Sequence, residues 1–196
     1  MKKYVFAAAA FLTINASAGP LGLSKGMTLE QVKQQATLMP TDSPYGYTTT
    51  KLANGHPDFE TYALIITPQQ GLCKIHAMSA DIPTSVYGTE LQTRYKSLSK
   101  AMVEKYGKPE GDHDFLRAGS LWKESKYWMM GLQKNERLLA TYWGPPKNVK
   151  LPDSLSTMKV EARAISQNKG FLLLNYEFDN YDACAAVLKA KKNANL

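Results

Sequence analysis

Three histidines are the first residues to test for chemistry, because imidazole is the commonest metal ligand and a frequent general base in proteins. His56 lies in a turn-like stretch, His113 stands between two aspartates, and His76 lies in an apolar, strand-like run. A zinc site needs three or four ligands at defined spacings, and the sequence contains neither H-E-x-x-H nor a paired Cys/His pattern. We therefore expect no metal ion and no cofactor.

Serine and acid chemistry is also weakly indicated. Ser-x-x-Lys occurs four times, but no S-D-N or K-T-G motif accompanies it, and there is no G-x-S-x-G elbow. The 17 acidic residues form no distinctive cluster, and carboxylate pairs for sugar hydrolysis are recognised only by their separation in three dimensions. The sequence therefore predicts a protein without catalytic activity. A cell-wall hydrolase whose site assembles only on folding is the alternative.

Residues 1–18 have the pattern of a signal peptide. Two lysines precede an apolar, alanine-rich run over residues 4–14, and Ala16-Ser17-Ala18 is a small-x-small cleavage site. The run is too short for a membrane span, which needs roughly 20 residues, and no cysteine follows it that could carry a lipid. We expect cleavage after Ala18 and a mature, soluble protein that begins at Gly19, is periplasmic or secreted, and has no membrane span.

The two cysteines, Cys73 and Cys184, are predicted to form a disulfide, because an exported protein folds in an oxidising compartment. Cys73 shares one face of a predicted strand with Ile75 and Ala77, and Cys184 lies on the apolar stripe of a helical run that includes Leu188. A helix docked on a sheet would bring the two faces together. Two separately buried thiols are the alternative.

Composition indicates one folded domain or two small ones. The chain has 196 residues, of which 44% are hydrophobic and 10% aromatic, and loss of residues 1–18 would lower the net charge from +7 to +5. Only four of the 24 basic residues are arginine, the residue that favours bidentate recognition of phosphates and bases. We therefore expect no nucleic-acid partner, and a mild preference for anionic partners.

Periodicity predicts four helices and six strands. The first helix begins with a capping-box pattern at Thr28 and Gln31, and the fourth contains Cys184 with Asp179 or Asn180 as its N-cap. The predicted helices cover about residues 28–40, 88–106, 121–132 and 180–188, and the predicted strands cover residues 45–52, 61–67, 72–81, 137–143, 158–164 and 172–178. The last two strands are the best hairpin of the chain.

This order of elements predicts an α+β fold, with an antiparallel sheet or sheets and helices packed on one face. Helix, three strands and helix occur twice, so two tandem α+β units are the natural interpretation, residues 19–110 and residues 111–196, tightly packed on each other and divided within residues 107–119. A single continuous antiparallel sheet that carries the helices would give the same order. The sequence does not distinguish the two arrangements.

Residues 22–32, GLSKGMTLEQV, resemble the GMT-x-x-x-V start of the SmpA/OmlA (BamE-like) family, small lipoproteins of outer-membrane assembly. Tandem copies of a similar α+β unit also make up the fold of β-lactamase inhibitor protein. The resemblance implies a protein that works by binding other proteins, and it assigns no functional residue. The sequence departs from the SmpA/OmlA family in lacking a lipidated cysteine after the cleavage site.

An aromatic stretch is the candidate interaction surface. Trp122, Tyr127, Trp128 and Met130 are of the residue types enriched where proteins bind partners. The spacing of Trp122 and Trp128 also fits the core face of the third helix, and Tyr127 and Met130 fall off that stripe. We therefore expect an exported, non-enzymatic protein that binds an envelope protein, a toxin or an enzyme, with a cell-wall hydrolase or a carrier of a small apolar ligand as alternatives.

Overall fold

The computed structural model describes residues 19–144 and 151–194. The predicted signal peptide, residues 1–18, lies outside the described residues. The helices and strands follow in chain order as α1 (Leu29–Lys33), β1 (Met39–Pro40), β2 (Gly46–Thr49), β3 (Thr61–Thr67), β4 (Gly71–Met78), β5 (Ile82–Pro83), α2 (Thr89–Tyr106), β6 (Gly111–Leu116), α3 (Trp128–Gln133), β7 (Arg137–Trp143), β8 (Leu155–Ser166), β9 (Lys169–Phe178) and α4 (Tyr181–Asn193).

All nine strands belong to one antiparallel sheet, in the order β1-β2-β3-β4-β9-β8-β7-β6, with β5 pairing β9 beyond the end of β4. This confirms the predicted α+β class, and the single continuous sheet is the arrangement that forms. Residues 19–110 and 111–196 meet where β4 pairs with β9. Helix α2 follows the strands of the first half but packs on β8 and β9, whereas α4 follows those of the second half but packs on β3 and β4.

One face of the sheet, here called the core face, carries the hydrophobic core. Leu64, Ile75, Leu174 and Val160 lie on it, one from each of the four central strands. Side chains of α1, α2 and α3 join the same core, and those of α2 form its predicted stripe. The core side chains of the three helices are Val32, Leu91, Tyr95, Leu98, Met102, Tyr106, Trp128, Met129 and Leu132. Three of the four helices therefore cover the core face.

Helix α4 lies on the opposite face, which we call the open face. Lys74 alternates with the core residue Ile75 along β4, and the Lys74 Nζ lies 4.6 Å from the centroid of the Tyr181 ring of α4. The expectation of helices on one face is therefore correct for three helices and wrong for α4. The one fully buried residue of α4 is Cys184, and α4 contributes no side chain to the main core. The other three helices therefore cover that core.

The predicted disulfide between Cys73 and Cys184 is present. The strand is bulged at Cys73, because Ile65 pairs with Lys74 and Ile66 pairs with Leu72. This extra residue lets Cys73 reach α4 on the open face, so the expectation that Cys73 shares a face with Ile75 and Ala77 is wrong. An ideal strand has a side-chain period of two, and a bulge shifts that period by one residue.

The stretch predicted to divide the two halves, residues 107–119, contains the edge strand β6. Its residues Asp112, His113 and Asp114 alternate between the faces of the sheet with no apolar side, and its outer edge pairs with no strand in the described part of the chain. Charged side chains are typical of edge strands, since they discourage further pairing. Without an apolar alternation, the hydrophobic pattern could not reveal β6.

Two helices are shorter than their patterns predicted. Helix α1 has the expected capping box, in which Thr28 Oγ1 accepts from Gln31 N and Gln31 Oε1 accepts from Thr28 N, but it ends at Lys33. Helix α3 begins at Trp128 and not near residue 121, because Ser120 Oγ accepts a hydrogen bond of 3.1 Å from Trp122 N and holds a non-helical turn. Residues 121–127 therefore precede α3 as a largely exposed loop.

Candidate functional site

Exposed and half-buried apolar side chains collect around α3 and form what we call the α3 surface. They come from the loop before α2, the loop before α3, α3 itself and the end of β8, and they are Val86, Tyr87, Leu121, Trp122, Tyr127, Met130 and Ile165. Leu121 is 84% exposed and Tyr87 is 50% exposed. A surface of this kind is unusual on a protein that acts alone, since scattered single residues are the norm.

Three contacts hold these segments together. Val86 O accepts a 3.2 Å hydrogen bond from Met129 N, which places the loop before α2 at the start of α3. Gln133 Nε2 donates to Ile165 O over 3.0 Å, which places the end of β8 at the other end of α3. The rings of Trp122 and Tyr127 pack edge to face with centroids 5.5 Å apart. Tyr127 is the N-cap of α3 and Met130 lies three residues further on, so both are on neighbouring parts of the helix surface.

Of the four residues predicted for this surface, three lie on it and one does not. Trp122, Tyr127 and Met130 are half-buried, whereas Trp128 is only 7% exposed and belongs to the core. The Arg137 guanidinium lies over the Trp128 ring, 5.7 Å from its centroid. Trp128 therefore acts as the core anchor of α3, as its helical spacing allows.

Sequence reasoning missed Val86, Tyr87 and Ile165, and it placed Leu121 at the start of the third helix and not in the loop before it. Val86 and Tyr87 lie in the turn before the second helix, and Ile165 lies at the irregularity between Ala164 and Ser166 in β8, so none of the three follows a helical or strand period. An apolar residue inside a turn was the one signal available. It could not indicate that these residues meet, because their segments are joined by tertiary contacts alone.

The rim of the α3 surface is mainly cationic. Arg117, Lys123, Lys126 and Lys134 are all exposed there. The Lys126 Nζ donates a hydrogen bond of 2.9 Å to the Glu124 carboxylate, and this bond raises the pKa of Lys126. A partner with carboxylates around an apolar centre would match this distribution of charge.

The three histidines do not come together. His56 is in the loop before β3, where its Nδ1 accepts from Asp58 N; His76 is on β4; and His113 packs against Tyr142 near the sheet edge. Within residues 19–144 and 151–194, no group of three or more His, Cys, Asp or Glu residues is arranged to hold a metal ion.

His76 has the most altered environment of the three. Its side chain is half-buried on the open face of the sheet, and this burial, together with the nearby charge of Lys74, lowers its pKa. The lowered pKa favours the uncharged imidazole at neutral pH. Burial disfavours the charged form of histidine, and a neighbouring cation adds to that effect.

Among the described residues, no helix is both long and apolar enough to cross a membrane. No family model matches this sequence, and no characterised protein and no solved structure matches it at a significant level.

Proposed function

We propose that this chain is an exported protein of the bacterial periplasm or the extracellular space that binds a protein partner through the α3 surface and performs no catalysis. The signal-peptide pattern of residues 1–18 supports export. The Cys73–Cys184 disulfide supports an oxidising compartment, because such bridges are rare in the cytosol of most organisms. The resemblance of residues 22–32 to the SmpA/OmlA family agrees with a binding role.

The observation that carries the proposal is the concentration of exposed apolar residues around α3. In the described chain the exposed large hydrophobic residues are Met39, Val86, Tyr87, Val103, Phe115, Leu121 and Ile165. Four of these seven belong to the α3 surface, beside the half-buried Trp122 and Tyr127. Aromatic residues and methionine at the centre of a polar rim are the composition of a protein-binding patch.

The partner that fits is a protein segment with an apolar anchor and acidic neighbours. The anchor would pack on Leu121, Tyr127 and Met130. Its carboxylates would face Arg117 and Lys123 at the rim. Rim charges of this kind mainly raise the rate of association, whereas the buried aromatic contacts provide most of the affinity.

The test compares two methionine variants of the mature protein. Met130→Ala alters the α3 surface. Met39→Ala removes the same type of side chain, 54% exposed, from the edge strand β1 at the far end of the sheet. Each protein is used for affinity capture from envelope extract. The captured partner is then purified, and its dissociation constant is measured by calorimetry against wild type, both methionine variants and Tyr127→Ala.

We expect wild type and Met39→Ala to bind one partner equally, and Met130→Ala or Tyr127→Ala to bind about tenfold or more weakly with an unchanged melting temperature. Equal binding by all four proteins would refute the α3 surface as the site. Failure of wild type to capture any partner would refute the binding role and favour the hydrolase or the apolar-ligand carrier.

A further inference from the structure

The open face of the sheet has a feature that the proposed function does not use. Four strands contribute directly opposed residues to one row across it. Tyr142 on β7 is opposite Lys159 on β8, Lys159 is opposite Asn175 on β9, and Asn175 is opposite His76 on β4. Helix α4 covers the end of this face near Thr67, and the row lies beyond it.

An open cavity of 440 Å³ lies over this row. Its other lining side chains are Lys74, Thr157, Arg163, Leu173 and Glu177, with Met158 at its margin. Most of these groups are hydrogen-bond donors, whereas Leu173 supplies an apolar wall. A concave surface with a few converging polar groups and one apolar side is the usual form of a small-ligand site.

Asn175 lies at the centre of the row and has unused hydrogen-bonding capacity. It is only 8% exposed, and within the described parts of the chain its Oδ1 has no hydrogen-bond partner. The unpartnered oxygen is an acceptor that solvent does not reach, so it is not the atom that a ligand contacts. Asn175 also lines the cavity, and its amide nitrogen is the donor that it can offer to a bound molecule.

The charges around the cavity favour an anion. Lys74 Nζ contacts Glu177 Oε1 at 2.6 Å, and Glu161 holds both Lys159 and Arg163, the latter at 2.7 Å between Nε and Oε1. Three cations thus face two carboxylates. Glu161 is 4% exposed and does not line the cavity, so the surface that a ligand meets is more positive than the pairing suggests.

We propose that this cavity, the open-face site, binds a small organic oxyanion, a carboxylate or a phosphate ester. The oxyanion accepts hydrogen bonds from the Asn175 amide and the Lys159 ammonium, and the apolar part of the ligand packs on Leu173. His76 donates from its neutral imidazole at the edge of the site. Charge-assisted hydrogen bonds from a lysine and an amide are the contacts that a carboxylate or phosphate group prefers.

The test is a titration followed by NMR on ¹⁵N-labelled protein, with succinate and inorganic phosphate as separate probes and sodium chloride at matched ionic strength as the blank. We expect saturable shifts of amide signals in β4, β8 and β9 and an upward shift in the pKa of His76, since a bound anion favours its imidazolium form. The probe that produces these changes at the lower concentration identifies the oxyanion class.

Two variants locate the site. Asn175→Leu keeps the side-chain size and removes the amide, and Lys159→Gln removes the charge. Lys169→Gln is the matched control, because Lys169 forms an exposed pair with Asp81 outside the cavity, at 3.2 Å.

We expect affinity to fall at least about tenfold in each site variant, as for the loss of one hydrogen bond to a charged group, and to be unchanged in Lys169→Gln. Equal affinity in all the variants, or shifts that chloride reproduces, would overturn the proposal. The melting temperature of Asn175→Leu checks that the sheet is intact, and this test does not depend on any protein partner.

Discussion

Removal of the disulfide tests how much the bridge between the first and second halves of the chain stabilises the fold. The bridge joins Cys73, on a central strand, to Cys184, the one fully buried residue of α4, across a sequence separation of 111 residues. We choose the double variant Cys73→Ala/Cys184→Ala, because it leaves no unpaired thiol that could oxidise or exchange. The loop that the bridge closes contains α2, α3 and five of the nine strands.

The expected magnitude follows from the entropy of that loop. A closed loop of about 111 residues removes about 16 cal/mol/K from the unfolded chain in the chain-entropy model, which is about 5 kcal/mol at 25 °C. With a dependence on guanidinium of about 4 kcal/mol per molar, the midpoint of unfolding should fall by about 1 M. Asn180 Nδ2 still donates to Gln70 O at 2.9 Å, so the first turn of α4 keeps an anchor without the bridge.

The assay is equilibrium unfolding in guanidinium, followed by circular dichroism and tryptophan fluorescence. Chemically reduced wild type is the control, because it lacks the bridge but keeps both sulfur atoms in the packed site. Equal losses of about 5 kcal/mol in the variant and in the reduced protein would support cross-linking as the cause. A loss below about 1 kcal/mol in either protein would refute the loop-entropy reasoning.

Two further predictions concern single side chains. Gly88 has a φ of +70°, and a Cβ there would collide with the Trp128 ring; Gly88→Ala should therefore lower the free energy of unfolding by about 2–4 kcal/mol, measured in urea. Burial lowers the pKa of His76 in the folded protein. As the pH falls, His76 of the unfolded chain therefore takes up a proton at a higher pH than His76 of the folded protein. Stability should thus decline from about pH 6.5 downward, and the decline should be smaller in His76→Gln, measured by thermal melts between about pH 7.5 and 5.

Matched variants make both results decisive. Gly119 also has a positive φ, of +83°, but open space around its missing side chain, so Gly119→Ala should cost only about 1 kcal/mol. Equal losses in the two glycine variants would show that the Trp128 ring does not restrict position 88. His113→Gln is the control for histidine removal on the same face of the sheet. A pH profile in His76→Gln that matches wild type would contradict the role given to burial.

Local patterns were sufficient wherever one element alone carries the signal. The α2 stripe repeats every three to four residues between Gly88 and Gly107, and the structure places this helix at Thr89–Tyr106. Strands β3 and β7 occupy the predicted residues 61–67 and 137–143. The sequence also predicted the pairing of the two cysteines, from their even number in a chain expected to be exported, although it placed Cys73 on the wrong face of its strand.

The α3 surface is an intermediate case. The sequence indicated Tyr127 and Met130, because both fall outside the core stripe of the third helix. It could not indicate Val86 or Ile165, which reach α3 only through the tertiary hydrogen bonds to Met129 N and from the Gln133 side chain.

Composition and periodicity determined the α+β class and the elements with a buried face, because burial of an apolar face imposes a period that is visible in the chain. The number of cysteines and the signal-peptide pattern, not periodicity, indicated the disulfide. The tertiary structure alone decided the single sheet, the polar edge strand β6, the bulge at Cys73 and the row from Tyr142 to His76. The register between strands distant in sequence depends on their packing together. Polar residues on an open face carry no hydrophobic period, so the site they form exists only in the folded sheet.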